Sequence, residues 1–301
     1  MAQIEKPVAV SAASTRGTLK SAEDKYVDRN LPEGVARVFA PGVVSRGRGE
    51  GVYAERPVFS PDFRECYFDV TDYKNKKFTS FFMRYQNGEW TKPEAAFFAK
   101  REGVQPALSS DGKRLLFVAP SPHDAKVAGI WMAQRTAEGW SEPQFLDPPV
   151  NNGTDARFPV LTDGGTLYYL CVTKDGKSSR AGVCRAKPTG ERYGSVEKVA
   201  KLQSRESVIM GDFYVAPDEN YIIIYSTPPD NLGQGDLYVS FHSKNDTWSD
   251  LQNLGPAVNT KGYDFAPSVS PDGRFIFFTR DRGGQGDVYW ISSEILDALR
   301  R

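Results

Sequence analysis

Pro267-Ser268-Val269-Ser270-Pro271-Asp272-Gly273-Arg274-Phe275-Ile276-Phe277-Phe278, followed by Gly286-Asp287-Val288-Tyr289-Trp290, reads as strand, tight turn, strand, loop, strand. Pro271 presets φ for the turn and Gly273 tolerates φ > 0. The flanking runs are β-branched and aromatic and are bounded by Gly, Pro and Asp, the signals of short strands. The same turn recurs along the chain as Ser60-Pro61-Asp62, Ser109-Ser110-Asp111-Gly112, Thr162-Asp163-Gly164 and Ala216-Pro217-Asp218. Aligned on these turns, Pro57, Pro106, Pro159, Phe213 and Pro267 stand 49, 53, 54 and 54 residues apart. A period near fifty residues with β signals inside it points to a propeller.

A fourth strand follows a polar turn ending in an aromatic residue. These turns are Asn87-Gly88-Glu89-Trp90, Glu138-Gly139-Trp140-Ser141, Glu191-Arg192-Tyr193 and Asp246-Thr247-Trp248-Ser249. A ring at this place covers the outer edge of one blade against the next. The last repeat lacks such a turn and ends in Glu294–Leu299, which reads as a short helix. Its missing outer strand is predicted from the other end of the chain, at Val38–Val43. Closure of this kind removes open sheet edges. The expected fold is therefore all-β: a five-bladed β-propeller of four-stranded antiparallel blades, with residues 1–30 as a polar arm and 31–301 as a single propeller domain. Six blades is the alternative.

The quoted runs resemble the bacterial TolB-like, WD-repeat-like propeller repeat over roughly residues 36–293. The resemblance implies the fold, a periplasmic or secreted location, and either a non-catalytic module that binds a glycan or protein partner or an oligosaccharide-processing enzyme. Two features depart from TolB: its additional N-terminal domain is absent here, and five repeats are read where TolB has six blades. Propellers host many unrelated activities, so the fold does not fix the function.

Lys+Arg and Asp+Glu both number 38, so no global field draws nucleic acid or an anionic membrane. No stretch of 18 apolar residues suggests membrane insertion. Of three cysteines, Cys66 lies in an apolar run, whereas Cys171 and Cys184 flank a hairpin turn and either face each other as a disulfide or stay reduced.

The residues expected just before each innermost strand would ring the mouth of the channel. They are Ala54-Glu55-Arg56, Gly103-Val104-Gln105, Ala156-Arg157-Phe158, Met210-Gly211-Asp212 and Asp264-Phe265-Ala266. Glu55, Asp212 and Asp264 are candidate catalytic carboxylates, since two carboxyls in different environments serve as acid and base in hydrolysis. Arg56 and Arg157 would hold substrate anions. Asp212 and Asp264, with Asp155 one residue further out, could instead bind Ca²⁺ or another divalent cation. The expected substrates are a glycoside, lactone, ester or phosphoester, and no organic cofactor is implied. The bland alternative is an Arg–Asp network that only satisfies polar groups in the channel.

A second layer of candidates lies on the upper loops: His123 beside Asp124 as a proton carrier, Tyr73, Asp230, and Arg282. Ser45-Arg46-Gly47-Arg48-Gly49-Glu50-Gly51 could form a cationic lid, or only a connection. Gly233-Gln234-Gly235-Asp236 and Gly284-Gln285-Gly286-Asp287 repeat one another and read as scaffold rather than a dinucleotide loop, because no helix follows.

Overall fold

A computed structural model describes residues 26–32, 34–47, 49–175, 178–190, 192–203, 210–229 and 231–300. The short β1 (Arg37–Val38) comes first. The first repeat folds as β2 (Val52–Phe59), β3 (Glu65–Asp72) and β4 (Lys77–Gln86), with β5 (Glu89–Trp90) and β6 (Glu94–Ala95) both paired to β4. The second is β7 (Val104–Leu108), β8 (Arg114–Pro120) and β9 (Ala128–Thr136), edged by β10 (Gly139–Trp140) and β11 (Gln144–Phe145). The third is β12 (Ala156–Leu161), β13 (Leu167–Asp175), β14 (Ser178–Thr189) and β15 (Arg192–Gln203). The fourth is β16 (Met210–Val215), β17 (Tyr221–Ser226), β18 (Asp236–Phe241) and β19 (Gln252–Asn253). The last is β20 (Asp264–Val269), β21 (Phe275–Asp281) and β22 (Gly286–Ser292), followed by the helix α1 (Ile295–Leu299). Pairing within every repeat is antiparallel.

The first and last repeats share one nine-stranded sheet, because Tyr53 on β2 forms a parallel bridge with Gly286 on β22. On the outer side of β22, β1 adds an antiparallel strand, with Arg37 opposite Trp290 and Val38 opposite Tyr289. The ladder is shorter than the predicted Val38–Val43, because only Phe39 adds one more hydrogen bond, to the Val288 carbonyl at 2.8 Å, before the chain turns.

Strand alternation sends neighbouring side chains to opposite faces, and here both faces are buried. Phe68 packs with Phe59, Phe277 and Trp290, whereas Tyr67 packs with Phe82, Leu115 and Phe117. Leu116 and Ile130 meet Tyr169, and Tyr168 and Leu170 meet Phe213 and Ile222. Ile223 and Leu237 meet Ile276 and Phe278. Each apolar cluster thus lies between two consecutive repeats, with the Phe59–Trp290 cluster joining the last to the first. The turn aromatics belong to these clusters: Trp248 is buried against Tyr168, and the Trp140 indole donates to the Tyr67 hydroxyl at 3.1 Å.

Tyr26 is buried under Phe63, Phe275 and Trp290 and donates to Asp272 at 2.8 Å. Asp28 accepts the Ala40 N–H at 2.9 Å. The end of the expected arm is therefore packed against the body, and residues 1–25 lie outside those described. Among the described residues no helix is long and apolar enough to cross a membrane.

Cys171 and Cys184 form a disulfide across β13 and β14, and Cys66 is free and buried. The bridge closes a loop with a sequence separation of 13. Replacing both cysteines by serine is expected to lower stability by about 3 kcal/mol, read by denaturant unfolding; no change in midpoint would show that the link does not constrain the unfolded chain.

Candidate functional site

All five innermost strands carry a register slip at the same place. It falls between Glu55 and Val58, Val104 and Ala107, Arg157 and Val160, Met210 and Phe213, and Phe265 and Ser268. Within it, Arg56, Gln105, Phe158 and Ala266 have φ of 49°, 57°, 51° and 51°, and each precedes a proline. Such bulges re-aim a side chain and leave a backbone N–H unpaired in the ladder. Neighbouring repeats accept the freed donors. The Gln105 N–H donates to Asp69 Oδ2 at 2.8 Å, the Phe158 N–H to Gln105 Oε1 at 2.9 Å, and the Ala266 N–H to Asp212 Oδ2 at 3.1 Å. The candidate residues therefore lie inside the innermost strands, not just before them as expected. The reason is the bulge, which sequence periodicity does not reveal.

These bulges gather Glu55, Asp69 and Asp212 on a cavity of about 930 Å³, together with Tyr73, Gln105 and Arg157. Asp69 is a residue that sequence reasoning missed. Its signal was a lone carboxylate inside the apolar run Cys66-Tyr67-Phe68-Asp69-Val70. Asp69 is anchored by the Ser80 hydroxyl and the Gln105 N–H. Burial pushes its pKa up to about 6 even so, with those hydrogen bonds and Arg56 opposing the rise.

Glu55 differs from its neighbours in having a buried Oε1 with no hydrogen-bond partner. Burial raises its pKa to about 8, and the nearby Asp212 and Asp69 charges push the same way; Thr71 and Arg56 oppose them weakly. Asp212 is also raised by burial, but Arg56 and the Ala266 N–H stabilise its ionised form. Burial and the two neighbouring carboxylates thus favour the protonated form of Glu55.

Arg56 sits at the β2 bulge, next to Glu55 in the chain. It is 6% exposed, its Nη1 donates to the Phe213 carbonyl at 3.2 Å, and its guanidinium lies 4.9 Å from the Phe158 ring centroid. Its Nη2 has no hydrogen-bond partner. On its other side lies a cavity of about 170 Å³ ringed by Pro57, Pro106, Pro159, Phe213 and Pro267. One guanidinium thus favours the ionised forms of three carboxyls while bordering this proline-ringed cavity.

Asp212 and Tyr73 also border a second chamber of about 370 Å³, completed by Tyr53, Tyr225, Tyr263 and Phe265 with Asp281. The Tyr53 hydroxyl donates to Asp281 Oδ2 at 2.9 Å, and the Tyr53 and Tyr73 rings stand at 77° to one another, 5.4 Å apart.

The remaining candidates are placed elsewhere. Asp264 is fully buried in an ion pair with Arg280 at 2.8 Å, and its other oxygen accepts the Thr260 N–H and hydroxyl at 2.6 and 2.8 Å. It sits two residues before the bulge, at the position held by Ala54, Ala156 and Met210 in other repeats, all buried between sheets. Asp155 accepts the Ala128 N–H at 2.8 Å and pairs with Arg157 at 3.4 Å. Asp155, Asp212 and Asp264 therefore do not come together. Among the described residues no group of three or more His, Cys, Asp or Glu is arranged to hold a metal ion, so Asp155, Asp212 and Asp264 do not form the expected divalent-cation site.

The His123 ring stands at 75° to that of Phe145, 5.9 Å away, on an exposed loop outside the cavity lining. Arg282 is exposed and lines neither chamber. Arg46 donates to the Val43 carbonyl at 2.8 Å, and Gly51 N–H to the Gly284 carbonyl at 2.6 Å. The glycine-rich segment is thereby tied to the loop before β22 instead of covering the mouth as a lid. Arg48 and Asp230 lie outside the described residues.

No family model and no curated protein matches the chain. Solved structures similar to it include the gluconolactonase XC5397 from Xanthomonas campestris, at 12% identity over 86% of this chain and 93% of that one, with a TM-score of 0.49. Another is Zg3597, a family 117 glycoside hydrolase from Zobellia galactanivorans, at 11% identity over 85% and 89%, with a TM-score of 0.47. A third is the β-propeller domain of the Trilobed protease from Pyrococcus furiosus, at 14% identity over 84% and 74%, with a TM-score of 0.37.

Proposed function

We propose that the chain is a hydrolase of C–O bonds, acting at the mouth of a five-bladed propeller through Glu55 as general acid and Asp212 as general base. Dividing the nine-stranded sheet at the single Tyr53–Gly286 bridge leaves five groups of strands, which supports the five-blade reading. The apolar clusters between consecutive repeats, including last to first, support a ring closed by β1. The disulfide fits an oxidising compartment, the periplasm or the exterior.

The observation that carries the catalytic reading is the unpartnered, buried carboxyl oxygen of Glu55 on an open cavity, beside Asp212, whose ionised form Arg56 and the Ala266 N–H favour. A carboxyl kept neutral near pH 7 protonates an alkoxide-type leaving group as its C–O bond breaks. Asp212 takes a proton from the water that forms the new C–O bond. Arg56 lies close enough to both carboxyls to favour their ionised forms, so it stabilises Glu55 after proton donation. Asp69 holds the Gln105 bulge in place, with one carboxyl oxygen accepting the Ser80 hydroxyl and the other the Gln105 N–H. A glycoside or lactone uses this chemistry best, since a poorly leaving oxygen gains most from an acid.

The test is a panel of glycosides, lactones and esters assayed against wild type and Glu55→Gln. The expected variant loses about 10²–10⁴-fold in kcat. The wild-type rate should fall as pH rises through about 8, where Glu55 gives up its proton. Turnover retained in Glu55→Gln would overturn the assignment; absence of turnover on the whole panel would favour the TolB-like binding module.

A further inference from the structure

The two Gly-Gln-Gly-Asp loops have a use that the scaffold reading leaves out. A Cβ on Gly235 would stand 2.3 Å from the Tyr225 hydroxyl oxygen, and one on Gly286 would stand 2.3 Å from Cδ1 of Tyr53. A Cβ on Gly211 would meet Tyr225 Cδ1 at 2.9 Å. Neither Gly235 nor Gly286 has a positive φ, so what these glycines supply is room and not conformational freedom. Each loop also forms a parallel bridge to the strand of the next repeat: Gly235 with Tyr263, and Gly286 with Tyr53. The repeated motif therefore seats tyrosines in successive repeats, and all three of those tyrosines line the second chamber.

The chamber is aromatic on several sides and acidic at two points. Tyr53 and Tyr73 present perpendicular rings, and Tyr263 and Tyr73 remain 40% and 55% exposed, which is unusual surface for side chains so large. Asp212 and Asp281 face into the same space. Among the described residues no Lys or Arg lines it. A cation is attracted to aromatic faces by the ring quadrupole, and to the carboxylates by charge; an apolar shell on that cation matches the rings. A sugar would stack on one ring but would not need a cation-free acidic enclosure.

We propose that this chamber binds an alkylated ammonium group, caged by Tyr53, Tyr73, Tyr225 and Tyr263 with Asp212 and Asp281 as counter-charges. The site adjoins the hydrolytic mouth through Asp212 and Tyr73 but does not depend on hydrolysis. A cationic substituent on a substrate, or a separate ligand, would present the same chemistry here.

The experiment is calorimetric titration of the full chain with choline, and with its neutral carbon isostere carrying a tert-butyl group in place of trimethylammonium, at matched ionic strength. Choline should bind at least about fivefold more tightly than the isostere. Tyr263→Leu and Asp281→Asn should each weaken choline about fivefold or more. Tyr263 is surface-exposed, so that variant folds, and its circular dichroism and melting temperature check this. Glu55→Gln should bind choline as wild type does, which separates this inference from the hydrolase reading. Equal binding of choline and isostere, no binding of choline, or choline binding untouched by Tyr263→Leu and Asp281→Asn would each overturn it.

Discussion

Glu55→Gln should make the protein more stable at alkaline pH and leave it nearly unchanged in acid. Glu55 has a folded-state pKa of about 8 against an ordinary value of 4.5. Between these values the folded chain holds a proton that the unfolded chain has released. The stability this proton confers is fully present below pH 4.5 and is lost as pH rises to about 8. Glutamine has no proton to lose, so the variant escapes that loss. The full shift corresponds to an upper bound of about 5 kcal/mol; with water reaching the carboxyl through the open cavity, a difference on the order of 3 kcal/mol is expected above pH 8. Urea unfolding of both proteins across the pH range measures it. Parallel curves would show that Glu55 titrates as an ordinary surface carboxyl. Loss of turnover together with a gain in alkaline stability is the signature of a strained functional group, since a structural residue would lose stability when replaced.

Arg56→Met should destabilise the fold by about 3–5 kcal/mol at neutral pH and more above it. The guanidinium is buried and is the cation that lowers the pKa of Glu55, Asp69 and Asp212 alike. Without it, Asp69 and Asp212 lose the buried cation that favours their ionised forms. Methionine fills the space over Phe158, so lost packing contributes little. The double variant Arg56→Met/Glu55→Gln separates charge from shape. Above pH 8, where Glu55 is ionised, its stability loss should be smaller than the sum of the two single effects predicts if the carboxylate and guanidinium interact, giving a coupling of about 1–3 kcal/mol. Additivity within about 0.5 kcal/mol would mean that Arg56 acts through packing alone.

Much of the architecture was legible because its signals are local. Turn chemistry at Ser270–Gly273 and its counterparts set the period, and the alternating runs set the strands. The pairing of Arg37 and Val38 with β22 was foreseeable because the last repeat lacked an outer strand. The site was legible only in part. Glu55, Arg56, Arg157 and Asp212 come together because five bulges repeat at one register position, and no propensity marks a bulge in sequence. Counting back from the proline groups Asp264 with them, whereas strand alternation and the two extra residues turn it toward Arg280. Asp69 lies on a second strand, outside the repeated stretch before each proline. Its charge amid Phe68 and Val70 was the available clue. The tyrosine chamber could not be read in advance, since its rings come from β2, β17 and the approaches to β4 and β20, brought together only by the packing of separate repeats.

The protonation state of Glu55 is the point on which the catalytic account turns. Infrared difference spectroscopy, wild type minus Glu55→Gln, follows the carboxylic-acid carbonyl band through a pH titration. A band assignable to Glu55 should persist at neutrality and disappear with a midpoint near 8. A midpoint near the ordinary 4.5 would contradict the general-acid assignment, because a carboxylate already ionised at neutrality has no proton to give to a leaving group.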